Sequence, residues 1–310
     1  MTALPAIEVS VIICVRNGAK TIRRQLDALS AQVDAPAFEV VVSNNGSTDG
    51  TAALVDAWAT SSLGAVTAAR VIDSGEKPGI PFARNAGASA ARGRLLAFCD
   101  ADDAVRPGWV AAHAAAVDTG MGGGRVEAVR PDGTPEPSAF SETLMQTAYL
   151  PHAPGCNFSI ARDTFFAVGG FDESLPPYGC DDLEFSWRVQ EAGFQLDYVP
   201  AASVQFTITP RTRVVKKEFQ MAKARIATAA RHPDSESTTP HLTTFIVDLA
   251  KQSLMLPWRM IKPGHTPRTR WVRWVVDAAG RLSGYWTYFV RSEDHPPALV
   301  RSRRPSPTEL

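Results

Sequence analysis

Cysteine is scarce in this chain: four in 310 residues, with no Cys-x-x-Cys spacing among Cys14, Cys99, Cys156 and Cys180. That excludes a disulfide scaffold and argues against a cysteine-ligated zinc site, and it fits a reducing cytosol. Cys14 and Cys99 lie in apolar runs and read as small buried hydrophobes. Long hydrophobic runs are also missing: no window approaches the ~18 apolar residues that a membrane-spanning helix needs. The first apolar run, Val9–Val15, directly follows Glu8 with no basic stretch before it, so it does not read as a secretion signal. Glycine is missing where a dinucleotide enzyme needs it. Cys14–Gly18, after that run, holds one glycine rather than Gly-x-Gly-x-x-Gly. Net charge is absent too, with 32 basic and 32 acidic residues. What is present is ordinary for a globular protein, 45% hydrophobic and 21% charged. A chain this long buries roughly three quarters of its unfolded surface, enough for a core without staples.

The zero net charge is a cancellation. Residues 1–210 carry 14 Lys and Arg against 24 Asp and Glu, whereas residues 211–310 carry 18 against 8. Either the two parts attract each other, or the basic part meets an anionic partner.

Short Val/Ile/Leu-rich runs at 9–15, 38–43, 65–72 and 94–99 alternate with helix-period stretches at 19–32, 51–62 and 81–91. This predicts βαβ units and a largely parallel sheet covered on both faces. Such sheets bind ligands beyond their carboxyl ends. Cys14–Gly18, Ser43–Asp49, Asp73–Pro78 and Asp100–Asp103 are then the segments of interest. Gly120–Ser141, with its GMGGGR and PDGTPEPS, reads as a long surface loop. A helix is expected at Asp182–Ala192 and a basic one at Val214–Ala230. His232–Pro240 reads as a linker, Leu242–Ile261 and Trp271–Val290 as aromatic, basic helices. The expected division is 1–210 (halves meeting near 110), a helical extension at 211–292, and a disordered tail at 293–310.

Asp100-Ala101-Asp102-Asp103 sits where a buried strand ends. Three carboxylates within four residues repel one another unless a cation intervenes, and a hard divalent ion such as Mg²⁺ or Mn²⁺ suits them and bridges to phosphates. The alternative is that one caps the next helix and the others face water. Ser43–Gly50 is a turn into a helix that Thr48 or Asp49 can cap, with Asn45 placed to read a base edge. Arg84-Asn85-Ala86-Gly87 can bring Arg84 to the ligand edge because its neighbours are small. Asp181, Asp182 and Glu184 form a second acidic cluster at a helix start. There the helix dipole stabilises carboxylates; a cap and a general base are both open readings.

Taken together, these segments resemble the family 2 glycosyltransferases over about residues 7–205. The matching pieces are the strand Val9–Ile13, the turn Asn44–Asp49, the Arg-Asn-x-Gly helix at 84–87, the DxD motif at 100–103, Gly155–Ile160, Gly169–Glu173, and the acidic motif Gly179–Arg188. The resemblance implies a GT-A (nucleotide-diphospho-sugar transferase) fold for residues 1–210, with a Rossmann-like, mostly parallel sheet flanked by helices. It implies a nucleotide-diphosphate sugar donor, UDP-sugar favoured, at Val15, Asn17, Asn45, Arg84, Asp100, Ala101 and Asp102. It also implies a divalent metal (Mg²⁺ or Mn²⁺) on Asp102 and Asp100. Asp182 would be the general base, aided by Asp181, in a transfer that inverts the sugar. Asn157, Glu184 and Asp103 would contact the acceptor, a glycan, a lipid-linked sugar or a small molecule.

Three positions depart from the family pattern. Asn44-Asn45 stands where Asp-Asp or Asp-Asn is common, Cys14–Asn17 where the first strand ends Pro-Thr/Ser-Tyr-Asn, and Gln205 where many members place a metal-binding histidine. A sugar-phosphate nucleotidyltransferase and a non-catalytic nucleotide-sugar-binding protein are the competing readings. In the basic third, Trp271, Trp274, Leu282 and Trp286 recur near helical spacing beside Arg268, Arg270, Arg273 and Arg281. That pattern suits a peripheral membrane contact at the inner face of the cell membrane, a homodimer, or packing within the chain. No nucleic-acid-binding module is recognisable, and the cytoplasm is the expected compartment.

Overall fold

The structure is a computed structural model. It describes residues 6–61, 63–130, 132–136, 142–208, 214–235, 246–247, 250–251, 253–254 and 267–300. The expected alternation is present: β1 (Val9–Val15), α1 (Ile22–Ser30), β2 (Phe38–Asn44), α2 (Thr51–Ala59), β3 (Ala68–Asp73), α3 (Ile80–Ala90) and β4 (Leu95–Asp100). Then follow β5 (Ala104–Val105), α4 (Trp109–Ala116), β6 (Met121–Val129), β7 (Asn157–Ala161), α5 (Arg162–Ala167), α6 (Asp181–Glu191) and β8 (Leu196–Thr207). The eight strands form one sheet in the order β3-β2-β1-β4-β7-β6-β8-β5. Strands β1 to β4 pair in parallel. β7 enters antiparallel to both β4 and β6, so the sheet is mixed.

Side chains of successive strand residues go to opposite faces. Val11, Ile13, Ala97 and Cys99 belong to one core, with Leu26, Val55 and Trp109. Ile12, Leu96 and Phe98 belong to the other, with Phe158, Phe165, Phe171 and Phe185. Phe98 stacks on Phe158 at 4.5 Å between centroids, and Phe171 on Phe185 at 4.3 Å. Each fully buried ring contributes roughly 1.5–3 kcal/mol. Both sheet faces are therefore covered, which is why the strands read as apolar runs rather than alternating ones.

The expected surface loop at Gly120–Ser141 is corrected: its first part is the buried strand β6. The glycines there mark close approach, not a turn. A Cβ on Gly122 would lie 2.6 Å from Val117 Cγ2, and one on Gly123 would lie 2.6 Å from Leu144 Cδ2. One on Gly124 would lie 2.5 Å from Asn157 Oδ1 and would also run into the Ala202 carbonyl.

Asn157 is the hub of this region. Its amide nitrogen donates to the carbonyls of Arg125 (2.7 Å) and Ala202 (2.9 Å). Its oxygen accepts from Trp109 Nε1 at 2.7 Å and lies 3.1 Å from His113 Nε2. Because that oxygen only accepts, His113 carries its proton on Nε2, and Nδ1 accepts from the Ser159 hydroxyl (2.8 Å). Burial pushes the His113 pKa down to about 4 from 6.5. Below pH 6.5 the unfolded chain takes up this proton, and the folded chain does not until about pH 4. Stability is thus lost as the pH falls through that window, by up to about 3 kcal/mol. Urea unfolding between neutral and acidic pH should show the gap between wild type and His113→Gln narrowing by about that amount. A gap that stays constant would mean that His113 is not held neutral.

The chain divides into two compact units. One comprises residues to Glu173, Phe185–Thr209 and the tail from Leu299; the other comprises Ser174–Glu184 and Pro210–Ala298. In the second unit, α7 (Val214–Arg231) and α8 (Pro267–Tyr285, continuing as a π-helical turn through Val290) pack together. Small residues permit this: a Cβ on Gly280 would lie 2.5 Å from the Phe219 carbonyl, and one on Gly284 would lie 2.8 Å from Ile226 Cβ. Arg273 pairs with Glu218 (3.0 Å) and Arg225 with Asp277 (3.4 Å) across the same contact. Packing within the chain thus accounts for one face of α8. Most of Leu242–Ile261, and the tail after Val300, lie outside the described residues.

Candidate active site

Strand order reverses between β1 and β4, so the crevice for a ligand lies beyond their carboxyl ends. Cys14 pairs there with Asp100. The loops after β1 and β2 are laced together. Asn17, in the left-handed region at φ 56°, accepts from the Thr48 N–H (2.8 Å) and donates its own N–H to Ser47 Oγ (2.9 Å). Asp49 accepts from the N–H groups of Ala19 (3.1 Å) and Thr51 (3.2 Å), while the N-cap of α2 is Gly50 rather than Thr48 or Asp49. The Thr51 hydroxyl, first among its partners, holds the Asp49 carboxyl below the usual range.

Asn45 is not displayed at this edge. Its amide nitrogen donates to the carbonyls of Ser74 and Lys77 (2.9 Å), and its oxygen accepts from the Gly79 N–H (2.9 Å). It fixes the loop between β3 and α3, and only a second lone pair on its oxygen is left for a ligand. The side chain of Val15 is core, and its carbonyl accepts from the Asn45 N–H (2.8 Å).

The DADD turn links β4 to β5. Asp102 is exposed, Ala101 is buried, and Asp103 is completely buried. One oxygen each from Asp100, Asp102 and Asp103 can be chosen so that all three lie within 4.8 Å of one another. Asp103 Oδ1 accepts from the Thr207 N–H (2.9 Å), while its other oxygen has no partner among the described residues. Burial first, and then the charge of Asp100, pushes the Asp103 carboxyl up to about 8. An all-carboxylate donor set with a buried, orphaned oxygen fits a hard divalent cation.

Arg84 braces this cluster from α3. Its guanidinium lies 3.9 Å from Asp100 Oδ1, donates to the Gly155 carbonyl (2.6 Å), and rests over the rings of Phe158 and Phe171. Gly87 brings α3 close enough, since a Cβ there would lie 2.5 Å from Ile12 Cγ2. Asn85 ties the helix to the Phe171 backbone and to Glu173. Gln205 pairs in register with Ala104, and its amide oxygen accepts from Arg24 at 3.3 Å.

The second acidic cluster opens α6. Gly179 (φ 103°) and Cys180 (φ 57°) are both left-handed, which turns the chain sharply into Asp181. Asp181 is buried and Asp182 half-buried, its Oδ1 accepting from the Leu183 N–H (2.9 Å). Both stand in the first helical turn, where the dipole favours carboxylates. Burial lifts the Cys180 thiol to about 12, so this thiol is inert. Glu184 is buried and lies 3.6 Å from His232 Nε2. His232 was expected at the head of a linker; instead it is buried. The signal was its position: Ala224 and Thr228, eight and four residues earlier on the basic helix, are buried on the same side.

Three residues expected to contact the acceptor are buried. Asn157, Asp103 and Glu184 are each at most 2% exposed. Every hydrogen-bonding group of Asn157 serves the fold, and Asp103 clamps β8.

Residues 10–169 match the sequence profile described as "Glycosyl transferase family 2", and residues 138–215 match "N-terminal domain of galactosyltransferase". The glycosyltransferase AglE of Haloferax volcanii is 29% identical over 227 residues, 70% of this chain and 73% of the relative. The pre-mycofactocin glycosyltransferase of Mycobacterium tuberculosis is 30% identical over 247 residues, 73% of this chain but only 48% of the relative. Among solved structures, the mannosyltransferase PcManGT from Pyrobaculum calidifontis, in complex with GDP-Man and Mn²⁺, aligns with a TM-score of 0.59 at 19% identity, covering 92% of this chain and 88% of the other. TarS 1-349 of S. aureus, in complex with UDP-GlcNAc, aligns with a TM-score of 0.52 at 17% identity, covering 93% and 92%. These likenesses show a GT-A fold.

Proposed function

Since the chain belongs to glycosyl transferase family 2, we propose that it moves a sugar from a nucleotide-diphosphate donor to an acceptor hydroxyl with inversion at the sugar. The observation that carries this is the carboxylate cluster at the β1/β4 reversal: three acids with mutually close oxygens, braced by a buried arginine. Asp100 and Asp102 would hold the divalent cation, whose bound form neutralises charge developing on the departing nucleoside diphosphate. The GDP-Man and Mn²⁺ bound by the Pyrobaculum protein support that donor and metal class.

Arg84 keeps Asp100 oriented and offsets part of the cluster's charge. The laced loops at Asn17 and Asp49 pre-form the donor edge, so little ordering remains for binding. Asp182 is the general base, because of the three acids opening α6 only it and its charge reach solvent substantially. Asp181, buried beside it in the first turn, aids it. The four cysteines are all thiols, which supports a cytoplasmic location. The acceptor is a glycan, a lipid-linked sugar or a small molecule.

The test is a panel of UDP-, GDP- and dTDP-sugars incubated with the protein and Mn²⁺ or Mg²⁺. One base class should release nucleoside diphosphate, and chelation should stop the release. If none of the donors binds or turns over, the reading fails.

A further inference from the structure

The second unit leaves apolar helix faces uncovered among the described residues. On α8 and the turn continuing it, Trp271, Val272, Val275, Leu282, Trp286 and Val290 are 37–60% exposed. At about 100° per residue, the five from 271 to 286 fall within an arc of roughly 100°. No charged residue of that stretch shares the arc. Arg273, Asp277, Gly280 and Gly284 lie on the far side, where α7 packs. In a second described stretch, Ile246, Val247 and Leu254 are 53%, 48% and 81% exposed.

We infer that this unit docks on an anionic lipid bilayer surface through the Trp271–Trp286 stripe of α8. Charge decides between occupants. The unit, Ser174–Glu184 and Pro210–Ala298, carries 15 basic against 10 acidic side chains, so a second copy would bring the same surplus against itself. Anionic headgroups complement it, and the attraction persists over about a Debye length. Trp271 and Trp286 stand about 22 Å apart along the helix, and indole rings settle at the headgroup boundary. No helix among the described residues is long and apolar enough to cross a membrane, so the stripe lies along the surface rather than through it. The inference is independent of the transfer chemistry, because none of these residues belongs to the candidate active site.

The experiment is flotation of the full chain with phosphatidylcholine vesicles, alone or with about a third phosphatidylglycerol, at low and high salt. The protein should float with the anionic vesicles only, and high salt should weaken the association. Trp271→Ser combined with Trp286→Ser should lower the partition coefficient at least about tenfold. Leu282→Gln should lower it less, and an unchanged circular dichroism spectrum and melting temperature would show that both variants fold. Three results would overturn the inference: flotation with neither vesicle, a double variant that floats like wild type, or a stable solution dimer that the same double variant dissociates while neither protein floats.

Discussion

Asp182→Asn is expected to lower kcat for sugar transfer by about 10²- to 10⁴-fold while donor and metal affinity stay within roughly a factor of two. Asparagine matches the shape of aspartate but cannot take a proton from an acceptor hydroxyl. Asp182 stands in the first turn of α6, and its Oδ1 accepts from the Leu183 N–H, a bond that the asparagine oxygen can keep. The fold should therefore survive and the loss should fall on kcat alone. Asp181 is buried and Glu184 lies against His232, so their amide variants should disturb stability or acceptor KM more than the chemical step. If Asp181→Asn abolishes transfer and Asp182→Asn does not, the base has been misassigned.

Gly124→Ala is expected to destabilise the first unit by about 3–5 kcal/mol, with a fall in melting temperature on the order of 10 °C. The new methyl has nowhere to go: it would strike the Ala202 carbonyl and the Asn157 amide. Moving Asn157 breaks its bonds to Trp109, Arg125 and Ala202 together, inside a region with no solvent to replace them. Gly193→Ala is the control. Its φ is 88° and nothing lies within 4 Å of a Cβ there, so only backbone strain of about 1–2 kcal/mol is added. Similar losses for the two variants would contradict the close-packing account of β6.

The parts of this protein legible in the sequence are those set by local pattern. Runs such as Val9–Val15 and Arg94–Cys99 announced strands covered on both sides, and the carboxylates of DADD announced where the sheet ends. What stayed hidden depends on partners far along the chain. Gly122–Gly124 look like a loop until Val117, Leu144 and Asn157 are placed against them. Asn157 looks like an acceptor contact until its partners at Trp109 and Ala202 are known. Asn45 looks like a base reader until the backbone of the following loop claims its amide. His232 looks like the head of a linker because the polar sequence after it hides its place on the buried side of the helix that precedes it. Polar residues in a chain are read first as chemistry, yet here several satisfy buried backbone instead.

The charge asymmetry follows the same division. The acidic excess lies with residues 1–210, where six of the 24 acids stand at the two candidate clusters. The basic excess lies with residues 211–310, where the ion pairs Arg273–Glu218 and Arg225–Asp277 are solvent-facing and contribute about 0–1 kcal/mol each.

The most direct measurement is calorimetric titration of nucleoside diphosphates (UDP, then GDP) into the full chain, with Mn²⁺ and after chelation, in wild type and Asp102→Asn. Asp102 is exposed, so the variant should fold normally. The account predicts that one nucleotide binds wild type with Mn²⁺, that chelation weakens it at least about tenfold, and that Asp102→Asn does the same with the metal present. Binding that is equally tight without metal and in Asp102→Asn would contradict it.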